Sequence, residues 1–198
     1  MPGMPPPLPD ERNQLLAFLR QQRDGVRYAA YGLTDEQARS TPTAGSLSVG
    51  GLVKHVVNME QTWMGLVAGD TGELGSGNEM AGYEENFRLG RDETLADALA
   101  RMDARAAQTE SLVAGLDLDL AVPVPKGVPW FPQDVESWSL RWVLLHLIEE
   151  LARHAGHADI VRESIDGATM YELMAGVEGW PATDWLTPWQ PPADPAAR

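Results

Sequence analysis

The chain has no cysteine, only two lysines, and no run of eighteen apolar residues. The first absence excludes a disulfide framework, a thiolate metal site and a cysteine nucleophile, so a metal here would have to be bound by His, Asp or Glu. The second belongs to a wider shortage of positive charge: Lys and Arg total 15 against 29 Asp and Glu, for a formal net charge of −14. Phosphate backbones and anionic lipid surfaces are bound by clustered cations, which this chain lacks, so nucleic acid and membrane are excluded as expected partners. The third absence removes a membrane span, and MPGMPPPLPDERN has no basic segment leading into an apolar one. The expectation is a cytoplasmic protein without a signal peptide. Period-two alternation is nowhere sustained, no internal repeat is visible, and there is no phosphate-binding Gly loop, G-x-S-x-G elbow or H-E-x-x-H motif.

What is present is helical patterning on 198 residues that are 43% hydrophobic, enough for one globular domain with a short extra tail. The proline-rich arm Pro2 to Pro9 gives way at Asp10, a plausible N-cap, to a first helix over about Glu11 to Tyr31. After a polar connection, Leu52, Val56, Met59, Trp63 and Leu66 recur at steps of four and three, the stripe of an amphipathic second helix. The Gly- and acid-rich stretch from Gly69 to Glu93 reads as a long loop anchored by Tyr83 and Phe87. A third helix over about Thr94 to Leu116 is followed by a loop holding Pro123, Pro125, Pro129 and Pro132. The fourth runs from about Ser137 to Ile165 and stops at Gly167. The fold expected is an all-α four-helix bundle over residues 1–167, with 168–198, including Trp180, Trp185 and Trp189, as an irregular tail packed on it.

Three of the four histidines lie in LLHLIEELARHAGHADI on the fourth helix. At about 100° per residue, Leu140, Leu144, Leu147, Ile148, Leu151, Ala155 and Ala158 form the core-facing stripe, and His146, Glu150, His154 and His157 line its border. Glu149 stands four before Arg153, the favourable order for a surface ion pair, whereas Glu150 stands four before His154, so those two can face one ion. His55 borders the stripe of the second helix in the same way. If the second and fourth helices pack together, His55, Glu150 and His154 converge as a two-histidine, one-carboxylate set with an open position. Spacing leaves a second reading open, in which these are hydrogen-bonded structural side chains. His146, His157 and Arg153 are candidates for the surroundings of such a site, and Trp63 and Trp142, with Trp138, for the wall of a pocket.

The segments SLSVGGLVKHVVNMEQTW and WSLRWVLLHLIEELARHAGHADIVRESIDG resemble the DinB-like superfamily of metalloenzymes, in particular its actinobacterial branch, over about Asp10 to Gly167. The resemblance implies a bundle of up-down-down-up connectivity and a divalent metal, usually zinc or nickel, on His55, Glu150 and His154. Most members have a third histidine where Glu150 stands, while the mycothiol-dependent maleylpyruvate isomerases also use His, Glu and His. The implied activity is a metal-dependent S-transferase or isomerase that uses a low-molecular-weight thiol such as mycothiol on a small electrophile. Metal-dependent hydrolysis and non-catalytic metal-stabilised binding are the alternatives. Dimers are common in this superfamily, which adds a homodimer to the expectations.

Overall fold

Each long helix begins on a short polar side chain that accepts an otherwise orphaned amide, and these caps set the helix starts. Asp10 caps α1 (Glu11–Ala30), Ser48 caps α3 (Val49–Val67), Thr94 caps α5 (Leu95–Val113) and Ser139 caps α6 (Leu140–Asp166). A computed structural model of the chain describes residues 3–70 and 79–191. Shorter helices complete it: α2 (Asp35–Arg39), α4 (Glu79–Asn86) and α7 (Met170–Glu178). No helix among the described residues is long and apolar enough to cross a membrane.

The polar ties at the helix ends establish the directions. Arg141 at the start of α6 donates to Glu11 at the start of α1 (2.6 and 3.2 Å), and Arg162 near the end of α6 donates to the carbonyls of Ala29 and Tyr31 at the other end. So α1 and α6 run parallel. In α5 the order is reversed against α1: Arg12 reaches the carbonyl of Ala114, Arg20 pairs with Glu110 and Arg27 with Asp103. Lys54, one turn into α3, meets Glu93 just ahead of α5, so α3 and α5 run together. The connectivity is therefore up-down-down-up, a DinB-type bundle. Its core is built by Leu19 and Val26 of α1, Leu52, Val53 and Val56 of α3, Met102 of α5, and Leu140, Leu144, Leu147 and Leu151 of α6.

Several local expectations are corrected. The stretch read as one long loop contains α4, and the side chain of Tyr83 lies outside the described residues. The fourth helix starts at Leu140, because Ser137–Ser139 is a strand (β2) that pairs antiparallel with Ala121–Pro123 (β1), Val122 opposite Trp138. Three residues are too few for alternation to be legible. The tail is not wholly irregular: α7 is opened by a capping box of Thr169 and Glu172 and closed by Gly179 in the left-handed region (φ 67°). Beyond it, Trp189 is clamped by the Arg162 guanidinium (4.6 Å to the ring centroid) and by Tyr31 (5.4 Å), whereas Trp185 is 76% exposed.

Gly51 is the residue that lets the segment after α4 cross α3. A Cβ there would overlap the carbonyl group of Phe87, lying 2.6 Å from its carbon. In an ordinary helix interior, alanine would gain up to about 1 kcal/mol over glycine. Here Gly51→Ala must push Phe87 away, and the expected result is a loss of about 1–3 kcal/mol, the usual cost of overpacking. Urea unfolding at equilibrium measures it, and a variant as stable as wild type or more so would contradict the close crossing.

Candidate metal centre

The side chains of His55, Glu150 and His154 each place a ligand atom within 4.8 Å of the other two. The helices bring them together because α3 and α6 are antiparallel neighbours. His55 lies beside His154 (ring centroids 4.5 Å apart), while Trp63, two turns further along α3, lies beside His146 and Trp142, two and three turns back along α6. Both histidines are buried and Glu150 is half-buried. Glu150 Oε2 stands 3.5 Å from His154 Nε2 and Oε1 stands 3.9 Å from His146 Nε2. No Lys or Arg among the described residues pairs with Glu150, so its charge faces imidazoles alone.

Burial sets the electrostatics. Desolvation first, and the neighbouring His154 second, push the His55 pKa down to about 3. Burial also lowers that of His154, with Glu150 opposing it. Two imidazoles that remain neutral at neutral pH keep their lone pairs available to a Lewis acid. Two such nitrogens and a carboxylate oxygen, converging without a cation of the protein's own, are a donor set that zinc and its first-row neighbours accept. The residues present therefore fit a divalent metal.

The surroundings divide in two. On the α4 side, Phe87 stacks on the His55 ring (3.8 Å, 18°), Asn86 Nδ2 lies 3.1 Å from His55 Nδ1, and Asn58 donates to Asn86 Oδ1 at 2.6 Å. Phe87 also lines a cavity of about 650 Å³ with Ser48, Leu89 and Arg91. On the other side, Trp138, Trp142 and His146 form a stacked column (5.0 Å and 8°, then 5.2 Å and 12°) with Trp63 and Phe131 edge-on or tilted against it. His146 thus touches both Glu150 and the aromatic wall. His157 stays 5.7 Å, ring to ring, from His154, outside the three-residue cluster. Arg153 is exposed and meets Glu149 at 3.7 Å, the surface pairing that the i,i+4 spacing favours.

Sequence reasoning missed Asn58 and Asn86. Asn58 carried a weak signal, standing three residues after His55 and hence on its face of the helix. Asn86 carried none, since it ends a helix that the pattern did not reveal.

An antiparallel helix pair holding two histidines and one carboxylate at its border defines a bundle protein of the DinB-like class with a candidate metal centre. Residues 14–167 match the family model described as mycothiol-S-transferase, and the chain belongs to that family. A crystal structure of a conserved protein from Enterococcus faecalis shares the fold, with a TM-score of 0.57 at 15% identity over 81% of this chain and 100% of that one. No curated protein matches the chain.

Proposed function

We propose that the protein is a divalent-metal-dependent thiol S-transferase or isomerase, using a low-molecular-weight thiol of the mycothiol kind on a small electrophile. The observation that carries this reading is the convergence of His55, Glu150 and His154 within 4.8 Å, in a chain that belongs to the mycothiol-S-transferase family. These three residues would hold the metal, with zinc the first expectation and nickel the second. Bound there, a divalent cation supplies Lewis acidity that lowers the pKa of a coordinated thiol or water toward neutrality.

The chain's own contribution is positional. His55 and His154 stay neutral through burial and so offer nitrogen lone pairs at neutral pH. Glu150 brings one negative charge that offsets part of the cation's. The aromatic column of Trp138, Trp142 and His146, with Trp63 beside it, gives one flank of the centre an apolar surface that excludes water from an electrophile. In the transfer itself the thiol proton passes to solvent, the sulfur electron pair forms the new S–C bond, and the leaving group departs with the electrons of the bond it loses. The absence of cysteine fits a sulfur nucleophile supplied from outside.

Titrating a cobalt-loaded sample with mycothiol tests this reading. The expected result is a change in the visible cobalt bands that saturates with thiol, and consumption of an activated electrophile at least about tenfold faster than thiol and metal alone allow. Cobalt bands indifferent to every thiol, with no turnover, would overturn it.

A further inference from the structure

A neutral imidazole has one donor and one acceptor nitrogen, so whatever faces one nitrogen decides the state of the other. His55 Nδ1 faces Asn86 Nδ2 at 3.1 Å, and Asn86 Oδ1 accepts from Asn58 Nδ2 at 2.6 Å. An amide nitrogen can only donate. The chain therefore runs from Asn58 through Asn86 to His55, makes Nδ1 the acceptor and leaves the proton on Nε2.

Metal binding needs the opposite arrangement. Asn86 occupies the Nδ1 side, so Nε2 is the nitrogen free to coordinate, and a coordinating Nε2 must surrender its proton while Nδ1 takes one. With the amides as they stand, that Nδ1–H would point at the Asn86 NH₂, donor against donor. Turning both amides by about a half-turn removes the conflict: Asn86 Oδ1 accepts from His55 Nδ1–H, and Asn86 Nδ2 donates to Asn58 Oδ1. Each of the two contacts pairs one donor with one acceptor in both arrangements, so the pair has two discrete states.

We propose that Asn58 and Asn86 are positioning residues whose paired amides set the His55 tautomer and turn over together when a metal is taken up at Nε2. The proposal rests on reading His55, Glu150 and His154 as metal ligands. It also gives the end of α4 a link to the metal state, because Asn86 closes that helix and the next residue, Phe87, stacks on the same imidazole.

Two-bond nitrogen–proton NMR spectra of the full chain, with zinc and after chelation, read the tautomer directly. The expected result for wild type is Nε2–H without zinc and Nδ1–H with it. Asn86→Leu should bind zinc about ten- to a hundredfold more weakly, the usual effect of losing a partner behind a histidine ligand. Asn86→Asp, whose carboxylate only accepts, should hold Nδ1–H even without zinc and bind at least as tightly as wild type. Asn58→Leu, which removes the hydrogen bond to Asn86 and leaves Asn86 itself in place, should show an intermediate loss. Nδ1–H in the zinc-free wild type, or zinc affinity in Asn86→Leu within twofold of wild type, would overturn the proposal. Zinc binding by His154→Ala at wild-type strength would instead overturn the assignment of ligands, and the coupling with it.

Discussion

Glu150→Gln and His154→Ala are each expected to bind zinc more than about a hundredfold more weakly than wild type, and to lose thiol-dependent turnover to at least the same extent. The bound is set by comparison: losing a mere partner of a ligand costs about ten- to a hundredfold, so losing a ligand must cost more. Glu150→Gln is the sharper of the two, since it keeps the size of the side chain and removes only its charge and a strong oxygen donor. Glu149→Ala is the control one residue away. Its carboxylate meets exposed Arg153 and the far nitrogen of His146, and its zinc affinity should stay at the wild-type value. Stability supplies a second reading that does not depend on turnover. A ligand at a thousand times its Kd stabilises the folded state by about 4 kcal/mol, so zinc at that concentration should raise the Tm of wild type and of Glu149→Ala, and stabilise Glu150→Gln and His154→Ala, at about ten times their Kd or less, by no more than about 1.4 kcal/mol. Metal analysis and thermal unfolding with and without zinc measure both effects. Equal zinc content in Glu150→Gln and wild type would return Glu150 to an ordinary half-buried carboxylate.

The three clustered residues were legible because helices write their geometry into spacing. Glu150 and His154 stand one turn apart at the edge of a leucine stripe, and His55 stands at the edge of another. Antiparallel packing of the two stripes is then enough to bring the three together. The same rule separated Glu149 from Glu150, which occupy adjacent positions but different faces. Legibility failed where contacts are made by short or irregular segments. Asn86 reaches His55 from an eight-residue helix without a clear apolar stripe, and β1 and β2 have three residues each. The tail misled in a different way: its prolines and tryptophans after Gly179 obscured α7, whose capping box begins only two residues after the Gly167 stop. Trp189 and Trp185 look alike in sequence, yet one is clamped over Arg162 and the other is largely exposed.

Burial of charge was the other hidden feature, and it carries the largest stability effect expected here. Arg23 of α1 and Glu60 of α3 are both 2% exposed and form a two-pronged pair, Nε to Oε2 at 3.0 Å and Nη2 to Oε1 at 2.6 Å. The Thr109 hydroxyl of α5 donates to the same carboxylate, so three helices meet at one buried acid. Removing one partner leaves the other charged and buried with weaker compensation, Glu60 keeping the Thr109 hydroxyl and Arg23 keeping Glu110 at 4.0 Å, which costs about 3–5 kcal/mol, a large part of the stability of a typical domain. Glu60→Leu and Arg23→Met should each lose that much in urea unfolding. The double variant should recover most of it, because two apolar side chains of similar volume have no charge to desolvate. A single variant within 1 kcal/mol of wild type would show that water reaches the pair. Glu60 stands five residues after His55 on the same helix, so the double variant also asks what the pair does for the metal centre. If apolar packing of Leu52, Val53 and Val56 is what holds α3 in register, the double variant keeps the wild-type zinc affinity. If the affinity falls while stability is regained, the ion pair is what fixes the height of His55 opposite Glu150 and His154.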